Sequence, residues 1–187
     1  MKRDHQRRLE GIVALVLFGL TIPAANWLIG NAGTVCVPNG PCLVPVWPGI
    51  MAPSGVLMVG LALVLRDLVQ RRLGTVAGLG AIVVGALISA LLAPPAIVIA
   101  SVSAFLLSEL ADFAIYTPLQ RRRFLTAVFA SGIVGLVVDS IVFLHLAFGS
   151  LDFLAGQVIG KAWMVLFALP LMHLLRRRDE RLGLAAA

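Results

Sequence analysis

Charge is scarce in this chain. Asp, Glu, Lys and Arg make up 13% of its 187 residues, against about a quarter in soluble domains. Hydrophobic residues make up 60%, and the mean hydropathy is +1.00. The scarcity excludes a soluble globular domain and predicts an integral membrane protein. Cysteine is nearly absent too: only Cys36 and Cys42 occur. With five residues between them and no further Cys or His beside them, they have poor metal spacing, so no metal site is expected. There is no G-x-x-x-x-G-K-[ST] loop, so the chain cannot energise transport as a P-loop ATPase, and H-E-x-x-H is missing. Ser131 in "ASGIVG" lacks the setting of a serine nucleophile. His145 and His173, expected near opposite membrane surfaces, are badly placed to serve it as base. No enzyme and no cofactor is predicted.

What is present is long apolar runs. A helix crosses the hydrocarbon core in about 20 residues. Six stretches qualify, approximately Gly11–Gly30, Ile50–Leu68, Gly74–Ala93, Pro95–Leu119, Phe124–Phe148 and Leu151–Leu175. The first is too long, and lacks the cleavage-site pattern, for a removable signal peptide. The expected fold is an all-α membrane protein, a six-transmembrane-helix bundle forming one domain over residues 1–187. Basic residues fall in alternate loops. Lys2, Arg3, Arg7 and Arg8 precede span one; Arg66, Arg71 and Arg72 lie in or beside the second loop; Arg121–Arg123 separate spans four and five; Arg176–Arg178 and Arg181 follow span six. The positive-inside rule then predicts both termini in the cytoplasm and a multi-pass protein of the inner membrane. The net charge of +6 reports these loops and predicts no direct nucleic-acid partner. The arginine runs fix topology and meet anionic membrane lipids.

The long outer loop, residues 31–49, holds "CVPNGPC". Pro-Asn-Gly-Pro is turn chemistry that can bring Cys36 and Cys42 together as a disulfide, which that side of the membrane permits; two free thiols are the alternative. Its apolar residues and prolines suggest a lid over the outer mouth. In span three, Ala77, Ala81 and Gly85 have the small-xxx-small spacing of tight helix packing. Pro23 marks a kink in span one, and Pro94-Pro95 the start of span four.

Within the spans the ionisable residues reduce to Glu109, Asp112, Asp139 and Lys161, with Asn26 and Gln157 as neutral companions. Each charge near the bilayer centre costs about 2.5–3.5 kcal/mol on insertion scales, so these groups must face one another, water or a ligand. Glu109, Asp112 and Tyr116 share one helix face at i, i+3 and i+7, and Gln157 and Lys161 another at i and i+4. Asp139 lies eleven residues before Ser150 and Lys161 eleven after it. In an antiparallel hairpin both reach the same depth, roughly 16 Å at 1.5 Å per residue. The set converges on the midplane, where transporter sites lie. Asp139 and Lys161 alone would make a structural ion pair, but three acids and one lysine leave an excess of two negative charges. That excess calls for a cationic ligand, a coupling proton, or donors on a neutral ligand. Asp67 beside Arg66 reads either as an interfacial salt bridge or as a gating residue.

Several motifs resemble the queuosine-precursor transporters, the VUT (vitamin-uptake-transporter-like) family: "PAANWL" with Asn26, "LVLRDLVQRRLG" with Asp67 and Gly74, "ASVSAFLLSELADFAIYTPLQRR" with Asp112, "GLVVDSIVFLHLAF" with Asp139, and "GKAWMVLFALPLMHLL" with Lys161. Glu109 departs from the pattern, since some members have Gln there, and the long Cys-containing loop is not part of it. The resemblance implies uptake of 7-cyano- or 7-aminomethyl-7-deazaguanine to salvage queuosine for tRNA. It also implies likeness to the substrate-binding subunits of energy-coupling-factor transporters. A carboxylate would accept the paired N–H donors of a guanine-like edge, while Gln157 or Asn26 bonds the carbonyl side. Phe105, Tyr116, Phe143 or Trp163 would stack on the ring. Proton coupling and a homodimer stay open. The other reading is a substrate-capture subunit needing an energising partner.

Overall fold

The computed structural model describes residues 2–38, 40–93, 95 and 98–182. Among them are six helices: α1 (Lys2–Asn31), α2 (Val56–Leu73), α3 (Thr75–Leu92), α4 (Val98–Leu119), α5 (Phe124–Phe148) and α6 (Leu154–Leu182). Three strands, β1 (Val35–Cys36), β2 (Cys42–Trp47) and β3 (Ile50–Pro53), lie between α1 and α2. Asn39 of the expected turn and Pro94 of the expected helix start lie outside the described residues.

Five of the helices are long and apolar enough to cross a membrane. The exception is α2, which carries Arg66, Asp67, Arg71 and Arg72 in 18 residues. Its position explains how it tolerates them: α2 packs against every one of the other five helices. The surrounding helices turn apolar side chains outward, among them Val83, Leu87 and Leu91 on α3 and Phe167, Leu171 and Leu174 on α6. Arg66, Asp67 and Gln70 are buried inside that apolar shell. Charge within and oil without is the arrangement a lipid solvent demands. The chain is a multi-pass membrane protein.

Two apolar clusters hold the bundle on either side of α2. Leu63, Val64, Leu136, Val165 and Met172 join α2 to α5 and α6. Ala14, Phe18, Ala62, Val69 and Ala81 join it to α1 and α3. Close approach depends on glycine at several places, Gly60 and Gly85 among them. A Cβ on Gly60 would stand 2.5 Å from the Lys161 carbonyl oxygen, and one on Gly85 2.5 Å from the Phe105 ring. Gly85 therefore serves as the small residue expected of span three, admitting Phe105 between α3 and α4. A single residue, Gly74, links α2 to α3 at φ +95°, a backbone conformation natural only to glycine. Gly149 ends α5 in the left-handed cap position, its N–H donating to the His145 carbonyl at 3.0 Å. Pro23 does not interrupt α1. Asn26 donates Nδ2–H to the Ile22 carbonyl at 3.0 Å in the turn that follows the proline.

Within the helical fold, the long loop between α1 and α2 has regular structure of its own. It forms an antiparallel sheet in the order β1-β2-β3, pairing Val35 with Leu43, Val44 with Ala52, and Trp47 with Ile50. Ile50–Pro53 is therefore the third strand, and the second helix starts at Val56. Proline inside a paired strand argues against a strand; here β1 pairs only with Cys42 and Leu43, so Pro45 is flanked by β3 alone, beside a register shift between Pro45 and Trp47. Cys36 and Cys42 are joined by a disulfide across β1 and β2. The sheet sits on the bundle. Val46 and Ala52 pack with Val56, Trp163 Nε1–H donates to the Val46 carbonyl at 2.8 Å, and Ser54 Oγ–H donates to the Leu28 carbonyl at 2.7 Å.

Candidate functional site

Beneath the sheet a cavity of about 130 Å³ runs into the bundle between α1, α2, α4, α5 and α6, touching the end of α3 at Ser89. A water needs roughly 10–15 Å³ of such space, so the chamber has room for several waters or for a small planar solute. Its wall includes Asn26, Glu109, Asp139, Phe143, Gln157 and Lys161, six of the eight residues expected at the site, together with Phe105. Ser89, Ser101, Ser108 and Thr21 add hydroxyls. Sequence reasoning missed these because serine and threonine in a helix ordinarily bond their own backbone. Ser108 and Thr21 do so, donating to the Phe105 and Phe18 carbonyls.

On the α5–α6 side, the equal-depth pairing of Asp139 and Lys161 is realised. Lys161 Nζ donates to Asp139 Oδ2 at 2.5 Å, Gln157 Oε1 at 2.5 Å and Ser140 Oγ at 2.9 Å. Those three bonds use all the donors of an ammonium. Lys161 is thus engaged, while the second oxygen of Asp139 and the amide N–H groups of Gln157 remain for a ligand. Across the chamber, Asn26 spends one N–H on Ile22 and keeps its carbonyl oxygen.

Asp112 and Tyr116 do not line the chamber. They lie deeper, at the arginine-rich end, around a residue first assigned to a loop. Arg66 is fully buried, and it donates from Nε to Glu109 Oε2 at 3.0 Å, from Nη1 to Gln70 Oε1 at 3.0 Å, and from Nη2 to Asp112 Oδ1. Phe113 and Tyr116 flank the guanidinium, each ring centroid 5.7 Å from its carbon, a cation–π arrangement. Tyr116 is a core residue holding Arg66 in place. Asp67, expected at the interface, is also buried: its Oδ1 lies 3.1 Å from Arg66 Nη1, and Ser131 donates to its Oδ2 at 3.3 Å.

The inner charge count changes membership but not sign. With Arg66 and Asp67 included, four carboxyl groups face two cations, so acids still outnumber cations by two. Glu109 is the one residue common to both levels, since it lines the chamber and binds Arg66. Arg66, Asp67, Asp112 and Tyr116 are not among the residues that line the chamber.

That end has its own network. Asp179 accepts from Arg72 Nη1 at 2.8 Å and Nη2 at 3.1 Å, and Glu10 pairs with Arg72 at 3.0 Å and Arg178 at 2.7 Å. It ties α1, α2 and α6. Arg71 and Arg72, read in the sequence as loop charges, are buried by this network.

Residues 89–175 match the sequence model of a family described as "Putative vitamin uptake transporter". It is the VUT family that the motifs resemble. The match spans just under half the chain and takes in α4, α5 and most of α6. Seven of the eight expected site residues fall inside it, Asn26 being the exception. No curated protein and no solved structure matches the chain. The matched family is one of uptake transporters.

Proposed function

We propose that this chain imports a 7-deazaguanine base, 7-cyano- or 7-aminomethyl-7-deazaguanine, across the inner membrane for queuosine salvage. The sheet would face outward and the arginine-rich end the cytoplasm. One observation carries the reading: a chamber bounded by two carboxylates from different helices, Glu109 and Asp139, with amides at Asn26 and Gln157 and the rings of Phe105 and Phe143 on its wall. The chemistry matches a flat, nitrogen-rich guest. A carboxylate accepts two parallel N–H bonds from a guanine-type edge, Gln157 donates to its carbonyl, and Phe143 or Phe105 stacks on the ring. The unbalanced acids suit a cationic aminomethyl group or a proton carried with the solute.

The test uses cells unable to make queuosine. The chain is expressed, each precursor is fed at low concentration, and the modified base is assayed in tRNA. Salvage that appears with the wild-type chain and is lost in Asp139→Asn, with unchanged membrane insertion, supports the reading. No salvage from either precursor ends it.

A further inference from the structure

A second pocket, of about 140 Å³, opens at the arginine-rich end between the α4–α5 turn and the ends of α2 and α6. Arg71, Arg121, Arg122 and Arg176 line it, with Gln120, Phe124, Asp179 and Glu180. We propose that this pocket binds a phosphate group carrying a hydrogen-bond donor beside it. The site lies apart from the solute chamber and does not depend on what the chamber carries.

The charge balance is the first support. Four guanidinium groups face two carboxylates, and neither carboxylate is free. Asp179 is already held by Arg72, and Glu180 accepts from Arg176 at 2.7 Å. Arg121 and Arg122 are exposed and form no ion pair among the described residues. The surplus of positive charge matches a phosphate. Two buried polar atoms give independent support. Gln120 is 4% exposed, yet its Oε1 accepts no hydrogen bond; Arg71 Nε is buried and also has no partner. Native proteins seldom leave such atoms unsatisfied. Arg71 is held by the Phe124 ring, 3.9 Å from its guanidinium carbon, and only loosely by Asp179 at 3.5 Å. A phosphate oxygen would accept from Arg71, while an O–H or N–H next to the phosphate would donate to Gln120. The bound group would link the α4–α5 turn to α2 and α6, a joint that no acidic residue supplies among those described.

Two sources offer this chemistry, an anionic lipid headgroup and a soluble phosphate, and two arms separate them. In the first, the full chain is purified from nanodiscs of phosphatidylcholine and phosphatidylglycerol at 9:1, and retained lipid is measured by native mass spectrometry. In the second, inorganic phosphate is titrated against the chain in pure phosphatidylcholine nanodiscs by calorimetry. Binding in either arm that falls roughly thirtyfold in Arg121→Gln/Arg122→Gln supports the site, on the scale of one basic contact per arginine. The control pair Arg8→Gln/Arg177→Gln removes the same charge from exposed positions outside the pocket, and should leave binding within about twofold. Equal losses in both pairs, or no binding in either arm, would overturn the proposal. All four positions are exposed, so folding is not at issue.

Discussion

Replacing Arg66 with methionine tests the inner network most directly. The side chain is fully buried and holds Glu109, Asp112 and Gln70. Methionine fills much of the space but leaves Asp67, Glu109 and Asp112 with no cation. Removing one partner of a buried ion pair costs about 3–5 kcal/mol, because the other charge stays buried and uncompensated. At about 2–4 °C per kcal/mol for a chain of this size, the expected fall in Tm is about 6–20 °C. Arg66→Lys keeps the charge but offers one point in place of a fork. It should cost less, on the order of one charged hydrogen bond, about 1.5–3 kcal/mol. The informative partner is Glu109→Gln, which removes an acid from a cluster holding three acids and one arginine. Its Tm should stay within a few degrees of wild type, and Arg66→Met/Glu109→Gln should recover part of the loss. Thermal unfolding of the purified proteins in one detergent measures all four. An unchanged Tm for Arg66→Met, or a fall for Glu109→Gln as large as that for Arg66→Met, would refute the account of the cluster.

Three further outcomes follow from the geometry. Asp139→Asn should abolish uptake without loss of protein from the membrane fraction; a charge swap, Asp139→Lys/Lys161→Asp, that restores full uptake would instead reduce the pair to a structural pin. Gly85→Val should drive Phe105 toward the chamber and raise the KM for uptake about tenfold, whereas an unchanged KM would separate the chamber from transport. Reducing the Cys36–Cys42 disulfide should destabilise the sheet by about 2 kcal/mol, the scale expected for a short closed loop, seen as faster proteolysis between Asn31 and Ser54.

Much of this architecture is visible in periodicity and depth. The i, i+3, i+7 spacing puts Glu109, Asp112 and Tyr116 on one face of α4, and all three are buried. The hairpin count brings Asp139 to Lys161. Periodicity names a face, however, and says nothing of where along it a void ends. Glu109 reaches the chamber, while Asp112, one turn on, faces Arg66. Arg66 itself was hidden by the rule that reads arginines near span ends as topology signals. Its capture by α4 carboxylates depends on a contact 43 and 46 residues away along the chain. The sheet is hard to read in the sequence because Pro45 and Pro53 disqualify ordinary strands; Pro45 is tolerated where β1 no longer pairs, and Pro53 at the end of β3.

The central place of α2 has a consequence for biogenesis. As an isolated segment leaving the ribosome it carries four formal charges into a medium that rejects them, each costing about 2.5–3.5 kcal/mol near the middle of the bilayer. Glu10 on α1 precedes it, but most of its counter-ions arrive later, with Glu109 and Asp112 on α4 and Asp179 at the end of α6. The second helix of the chain therefore settles among the last, and the nascent protein must hold it at the membrane surface or beside the insertion machinery until its partners have been made.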